Sequence, residues 1–231
     1  MTERDPLADL VSRSMGRHIE HVAVEAMPSR DGIERKRLRY DTSGGPAATI
    51  FERSPRGATL EAQLLPFLAR KTDRVPVVHA RGIPPAHVTL GPWVLMEDVF
   101  DSPLACDGDV RDIMRAKLAI ERAVAKDLPA LHALGVAEYP RVISSLASAP
   151  RGLMHGDLSC PNARRAARGV VLTSWDRAAI GPTVIDAAHF ARELERAGRQ
   201  TDAEIVRETW TAEAGVQAAA ALWSAAQRAL N

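Results

Sequence analysis

The hydrophobic pattern of this chain changes period near residue 100, and that change limits the possible folds more than any other feature. Before it, short runs of apolar and polar residues alternate between turn formers, the signature of half-buried strands. Residues 19–25 alternate imperfectly, and Pro28, Ser29, Asp31 and Gly32 supply turn chemistry after them. A second strand is predicted over 33–40, ended by the breaker cluster 41–46, and a third over 47–53. A helix is predicted over about 59–71, with Leu60, Leu64, Phe67 and Leu68 on its apolar face. Pro66 must kink or shorten it. Segments 75–78 and 93–99 read as two further strands.

After residue 100 the period becomes helical. Val110, Ile113, Met114, Leu118, Val124, Leu128 and Leu131 recur at helix spacing, interrupted near Pro129. A short buried strand is predicted at 170–172, followed by helices over 185–197 and 202–230. The last is alanine-rich, with Trp210 and Trp223 as core anchors. The order predicts an α+β, two-lobed chain: a strand-rich lobe over 1–100 and a mainly helical lobe over 101–231.

Composition narrows the functional classes. A chain of 231 residues with 46% hydrophobic content can bury a core, and 26% charged residues argue against disorder. The net charge of +1 provides no bulk field toward nucleic acid or an anionic membrane, so neither is expected as a partner. No apolar run approaches the ~18–20 residues of a membrane span, and the first residues lack the basic and apolar regions of a signal peptide. Cys106 and Cys160 are the only cysteines, too few for a disulfide framework and suited to a reducing cytoplasm. Cys160 is read as a small packing side chain, since no Cys–His signature surrounds it.

The chemistry concentrates in residues 153–162, Leu-Met-His-Gly-Asp-Leu-Ser-Cys-Pro-Asn. An apolar strand end runs into His155-Gly156-Asp157, and an amide follows at Asn162. Phosphoryl transfer needs such a pairing, a carboxylate to accept a hydroxyl proton and a nearby oxygen to hold magnesium. An ordinary turn would also use Gly, Asp and Pro161, so the surrounding segments must decide.

Those segments resemble, in order, the aminoglycoside phosphotransferase and choline kinase-like family of the kinase-like fold. His155-Gly156-Asp157 with Asn162 matches its His-Gly-Asp-x-x-x-x-Asn loop. Glu61 falls where the family has an ion-pairing glutamate, and residues 94–99 resemble its linker strand. Leu128 to Leu134 resembles the Leu-His segment before the loop. Residues 171–182 follow its Ile-Asp-Trp-Glu…Gly-Pro stretch, and Asp186-Ala187-Ala188 its Asp-Leu-Ala. The resemblance covers roughly residues 20–195. It implies ATP and Mg2+ as cofactors, Asp157 as catalytic base and Asn162 as a metal ligand. It also implies nucleotide contacts at Glu61 and along the linker at Met96, Glu97 and Val99. His155 and Asp186 are assigned to loop architecture, and His132 to the core.

Two departures bear on activity. Where the family carries its magnesium aspartate, this chain has Ser174, with Asp176 two residues on; either could face the metal. Where the family's third strand ends in lysine, this chain has Glu52, which would repel Glu61. Arg53 could serve in its place only if the strand register slips by one. The expectation is an ATP-dependent phosphotransferase acting on a hydroxyl of a small molecule or peptide. The alternative is an impaired pseudokinase that binds or scaffolds, and a partner protein completing the site is a further reading.

Overall fold

The structure, a computed structural model, describes residues 6–28, 31–85, 89–140, 144–217 and 219–230. The chain divides into two compact units, each described by itself. The first comprises the described residues up to Ala62 together with Pro76–Asp98; the second comprises Gln63–Val75 and the residues from Val99 onward. The second unit thus reaches back to take residues 63–75, which the sequence places with the strands. The reason is local: the Arg74 carbonyl accepts from the Leu172 amide at 2.8 Å, and the Val75 carbonyl from Arg168 at 3.1 Å.

The first unit is an antiparallel sheet of five strands, β1 Ala23–Ala26, β2 Glu34–Thr42, β3 Gly45–Arg53, β4 Val78–Gly82 and β5 Trp93–Glu97, in the order β1-β2-β3-β5-β4. A helix that the sequence pattern did not predict, α1 Pro6–Met15, packs on one face. Ala8 and Val11 meet Ile19, Val22, Leu38, Tyr40, Phe51 and Leu95 there. The strand expected over 19–25 shrinks to β1 because Ile19 and Val22 serve this core as loop residues. The breaker cluster 41–46 is a tight hairpin, since β2 and β3 pair through Thr42 and Gly45. Helix α2, Leu60–Leu68, is shorter than expected and contains Pro66. Proline offers no N–H to the carbonyl four residues back; the Ala62 carbonyl instead accepts from Arg81 at 3.2 Å.

The second unit is built on α3 Arg111–Val124, α4 Leu128–Ala133, α5 Val184–Arg196, α6 Gln200–Glu213 and α7 Ala219–Leu230. The single helix expected over 202–230 is two, separated where Gly215 takes φ +67°. Trp210 and Trp223 are both buried, with ring centroids 5.9 Å apart. Between α4 and α5 lie a three-stranded sheet, β6 Ala137–Glu138, β10 Ala179–Pro182 and β7 Arg151–Met154, and the hairpin of β8 Ala163–Ala166 with β9 Gly169–Leu172. Of these, only the strand around 170–172 and the apolar end at 153–154 are legible in the sequence pattern. No helix among the described residues is long and apolar enough to cross a membrane.

Candidate active site

Strand β7 delivers its last residue, Met154, directly to His155, and two features hold the backbone that follows. Asp186, in the first turn of α5, accepts hydrogen bonds from the His155 amide at 2.5 Å and the Gly156 amide at 3.0 Å. Its carboxylate is buried, so these charge-assisted bonds replace the water it lacks. Gly156 has φ +80°, and a Cβ there would lie 1.9 Å from the Arg177 carbonyl oxygen. Only glycine fits this close approach.

His155 is buried, with its ring 4.5 Å from that of Trp175. Nδ1 accepts from the Asp157 amide at 3.3 Å, so Nε2 carries the proton and donates to the Thr173 carbonyl at 2.9 Å. Burial pushes its pKa below the ordinary value, opposed by the charge of Asp186. Burial is the larger effect, and with both ring nitrogens engaged in loop hydrogen bonds it describes a neutral, architectural imidazole.

The hairpin β8–β9 closes the other end of the loop. Ala163 pairs with Leu172, which places Asn162 beside Thr173; the Thr173 amide donates to the Asn162 carbonyl at 2.9 Å. The Asn162 side chain turns back, and Nδ2 donates to Asp157 Oδ2 at 2.8 Å and to the Asp157 carbonyl at 2.9 Å. Both partners are oxygens, so the amide orientation is set and Oδ1 is the atom left to face a cation. Asp157 and Asn162, five residues apart in sequence, are therefore in direct contact.

Ser174 follows Thr173 and adopts φ +64°, one of two non-glycine residues in the left-handed region among the described residues. A β-carbon there is strained, and such strain concentrates at functional sites. Strand β9 has already ended at Leu172, and residues 176–177 form a turn. The i, i+2 alternation that would align Ser174 with Asp176 is therefore absent. Asp176 is half-buried and close enough for its charge to act on His155.

The first unit answers the register question. Glu52 pairs with Arg35 on β2 and Val94 on β5, while Arg53 pairs with Glu34 and Trp93. The two side chains therefore leave opposite faces of the sheet. Arg53 lies 5.2 Å over the Phe51 ring on the face that α1 covers, and its Nη1 is 3.4 Å from Glu34. Glu52 is fully buried, and Arg35 Nη2 is 2.5 Å from its Oε2. Register does not slip, so Arg53 does not exchange places with Glu52. The repulsion expected at Glu52 is met by Arg35. Glu61 is buried on α2. Met96 and Glu97 belong to β5, held in ladders on both sides. The Glu97 amide already donates to the Val77 carbonyl at 2.8 Å, which removes it as a ligand donor; Val99 lies past the strand end.

A correction concerns the cysteines. Cys106 and Cys160 are joined in a disulfide, with Cα atoms 5.5 Å apart. Their separation of 54 positions hides this pairing from any local pattern, and cysteine usage no longer argues for a reducing compartment.

No protein-family model matches the chain, and no curated protein matches it. Solved structures do. Aminoglycoside phosphotransferase APH(4)-Ia is similar at 13% identity with a TM-score of 0.53, over 95% of this chain and 88% of that one. The amicoumacin kinase hAmiN, in complex with AMP-PNP, Ca2+ and Ami, is similar at 10% identity and a TM-score of 0.54, over 90% and 80% of the two chains. Choline kinase from Cryptosporidium parvum Iowa II is similar at 12% identity and a TM-score of 0.54, over 89% and 78%. At these identities the likeness establishes the fold. The chain has the α+β kinase-like fold shared by aminoglycoside phosphotransferases and choline kinase.

Among the described residues, no group of three or more His, Cys, Asp or Glu side chains is arranged to hold a metal ion. Magnesium in phosphoryl-transfer sites uses one or two carboxylates and completes its shell with substrate phosphates and water. Asn162, Ser174 and Asp176 all carry oxygen donors, the chemical type that a nucleotide-borne magnesium ion takes.

Proposed function

We propose that this protein is an ATP-dependent phosphotransferase acting on a hydroxyl of a small molecule or a peptide. The observation that carries the reading is the Asp157–Asn162 contact, held from behind by Asp186. A base and an adjacent oxygen ligand are locked at one point, an arrangement that a simple turn does not require. Asp157 would accept the acceptor's proton, and Asn162 would orient that carboxylate while turning Oδ1 toward the metal. Magnesium, when bound, would neutralise charge developing between the phosphates.

The acceptor is unlike a polycationic drug. A cleft of about 390 Å³ in the second unit is lined by Gly156 and Leu158 of the loop, by Tyr139 and Asp186, and by His189, Arg192 and Arg196 of α5. Both oxygens of Asp186 accept backbone amides. The lining carries one carboxylate, Asp186, against the two guanidiniums of Arg192 and Arg196, so its charge is net basic.

A second reading is a pseudokinase that binds or scaffolds a partner protein. Glu52 favours it, because a buried carboxylate stands where the fold's phosphate-pairing lysine belongs. Calorimetric titration with ATP, with and without magnesium, combined with single-turnover transfer assays, separates the two. Magnesium-dependent binding with transfer supports the enzyme; binding of neither nucleotide nor metal supports the pseudokinase.

A further inference from the structure

Cys160 stands three residues after Asp157 and opens the turn Cys160–Asn162 that ends in the amide ligand. Its partner, Cys106, lies in the turn Ala105–Asp107, 54 residues earlier. The covalent bond therefore clamps the middle of the candidate catalytic loop to a distant segment of the same unit. We propose that Cys106 and Cys160 form a reversible thiol–disulfide site through which ambient redox state controls the mobility of loop 157–162.

Three observations favour a reversible clamp over a staple that holds the fold. Both segments are anchored without the bond. Arg199 Nη2 donates to the Cys106 carbonyl at 2.8 Å, the Arg165 amide donates to the Pro103 carbonyl at 2.9 Å, and Leu104 bridges to Arg164. Opening the disulfide leaves the two thiols as neighbours, ready to close again.

The second observation is Arg199 itself. Its Nη1 lies 3.8 Å from Cys160 Sγ, and its Nε is held on Asp202 at 2.7 Å. The same guanidinium reaches the Cys106 carbonyl through Nη2, so one fixed side chain touches both cysteines and keeps their sulfurs adjacent when the bond opens. Thirdly, Cys160 is half-buried whereas Cys106 is 4% exposed, so an external reductant meets Cys160 first.

The exchange balances with a dithiol as reductant. Its thiolate attacks Cys160 Sγ, a mixed disulfide forms, and Cys106 leaves as a thiolate that takes a proton. The second thiol of the reductant, deprotonated, attacks its own sulfur in the mixed disulfide and expels Cys160 as the thiolate beside Arg199. The dithiol becomes a disulfide, and two electrons pass to the protein.

The test uses the full chain under native conditions. Dithiothreitol should expose both thiols to iodoacetamide with the far-ultraviolet circular dichroism unchanged, and glutathione disulfide should close the bond again. Amide hydrogen exchange over 157–163 should be at least ~10-fold faster in the reduced protein. Thiol release only in denaturant would make the bond a structural staple, and equal exchange in both states would show that the bond does not reach the loop. Either result overturns the proposal. Cys160→Ser should exchange like the reduced wild type; exchange like the oxidised form also overturns it. Neither readout involves phosphoryl transfer, so failure here and failure of the proposed function are separable.

Discussion

Arg35 lies against Glu52, Nη2 to Oε2 at 2.5 Å, with the glutamate side chain wholly shielded from water. The pair crosses from β2 to β3 at directly opposed positions. A carboxylate on this strand is thereby made tolerable by a neighbour that also keeps its charge from the rest of the sheet. Removing one member of such a buried pair leaves an uncompensated charge, at a cost of about 3–5 kcal/mol. Arg35→Met should therefore destabilise the protein by that amount in urea or thermal unfolding. The double variant Arg35→Met/Glu52→Met should recover most of the loss. Equal destabilisation by the single and double variants would show that the pair contributes packing alone.

The neutral, buried His155 makes stability depend on pH. Its folded pKa is lowered by burial, so below pH ~6.5 the unfolded chain binds the proton and the native loop does not. Stability should be fully present above pH ~6.5 and fall as pH drops from there toward the folded pKa. Melting temperatures of wild type and His155→Gln, measured from pH 8 to 5, isolate the effect as a difference. A difference that does not change across this range would assign the acid sensitivity to other groups.

Asp157→Ala removes the acceptor of the Asn162 amide and, in the proposed reaction, the base. Loss of a positioned base lowers turnover by about 10²–10⁴-fold. Nucleotide affinity should change much less, because the base acts on the acceptor. Parallel measurement of turnover and of nucleotide binding decides; an unchanged rate would place the base elsewhere.

Ser174→Asp should strengthen magnesium-dependent nucleotide binding, since a hard cation prefers an anionic oxygen. Aspartate also tolerates the left-handed backbone at this position better than most side chains do. Titration of wild type, Ser174→Asp and Asp176→Ala in magnesium and in chelator gives the answer. Loss of binding in Asp176→Ala with no gain in Ser174→Asp would make Asp176 the metal ligand.

The period change near residue 100 and the His155-Gly156-Asp157…Asn162 spacing were legible because they are local. Alternation of side chains and a five-residue offset follow from backbone geometry that every chain shares. The period change was enough for the α+β class, and the loop's resemblance to a known family supplied the kinase-like fold and the loop residues that do meet in space. Tertiary structure alone decided what depends on pairing at long range. The Cys106–Cys160 bond joins residues 54 positions apart, and Arg35 reaches Glu52 only because the β2–β3 hairpin sets their register. Helix α1 and the shortened β1 belong here too, since Ile19 and Val22 follow a core that a one-dimensional pattern does not contain. The positive φ of Ser174 is likewise imposed from outside the segment. Asn162 and His155 hold Thr173 by its amide and carbonyl, and the chain must turn sharply to leave them. A sequence states which groups are available to each site, while the packing of distant segments determines which of them face one another and which are neutralised.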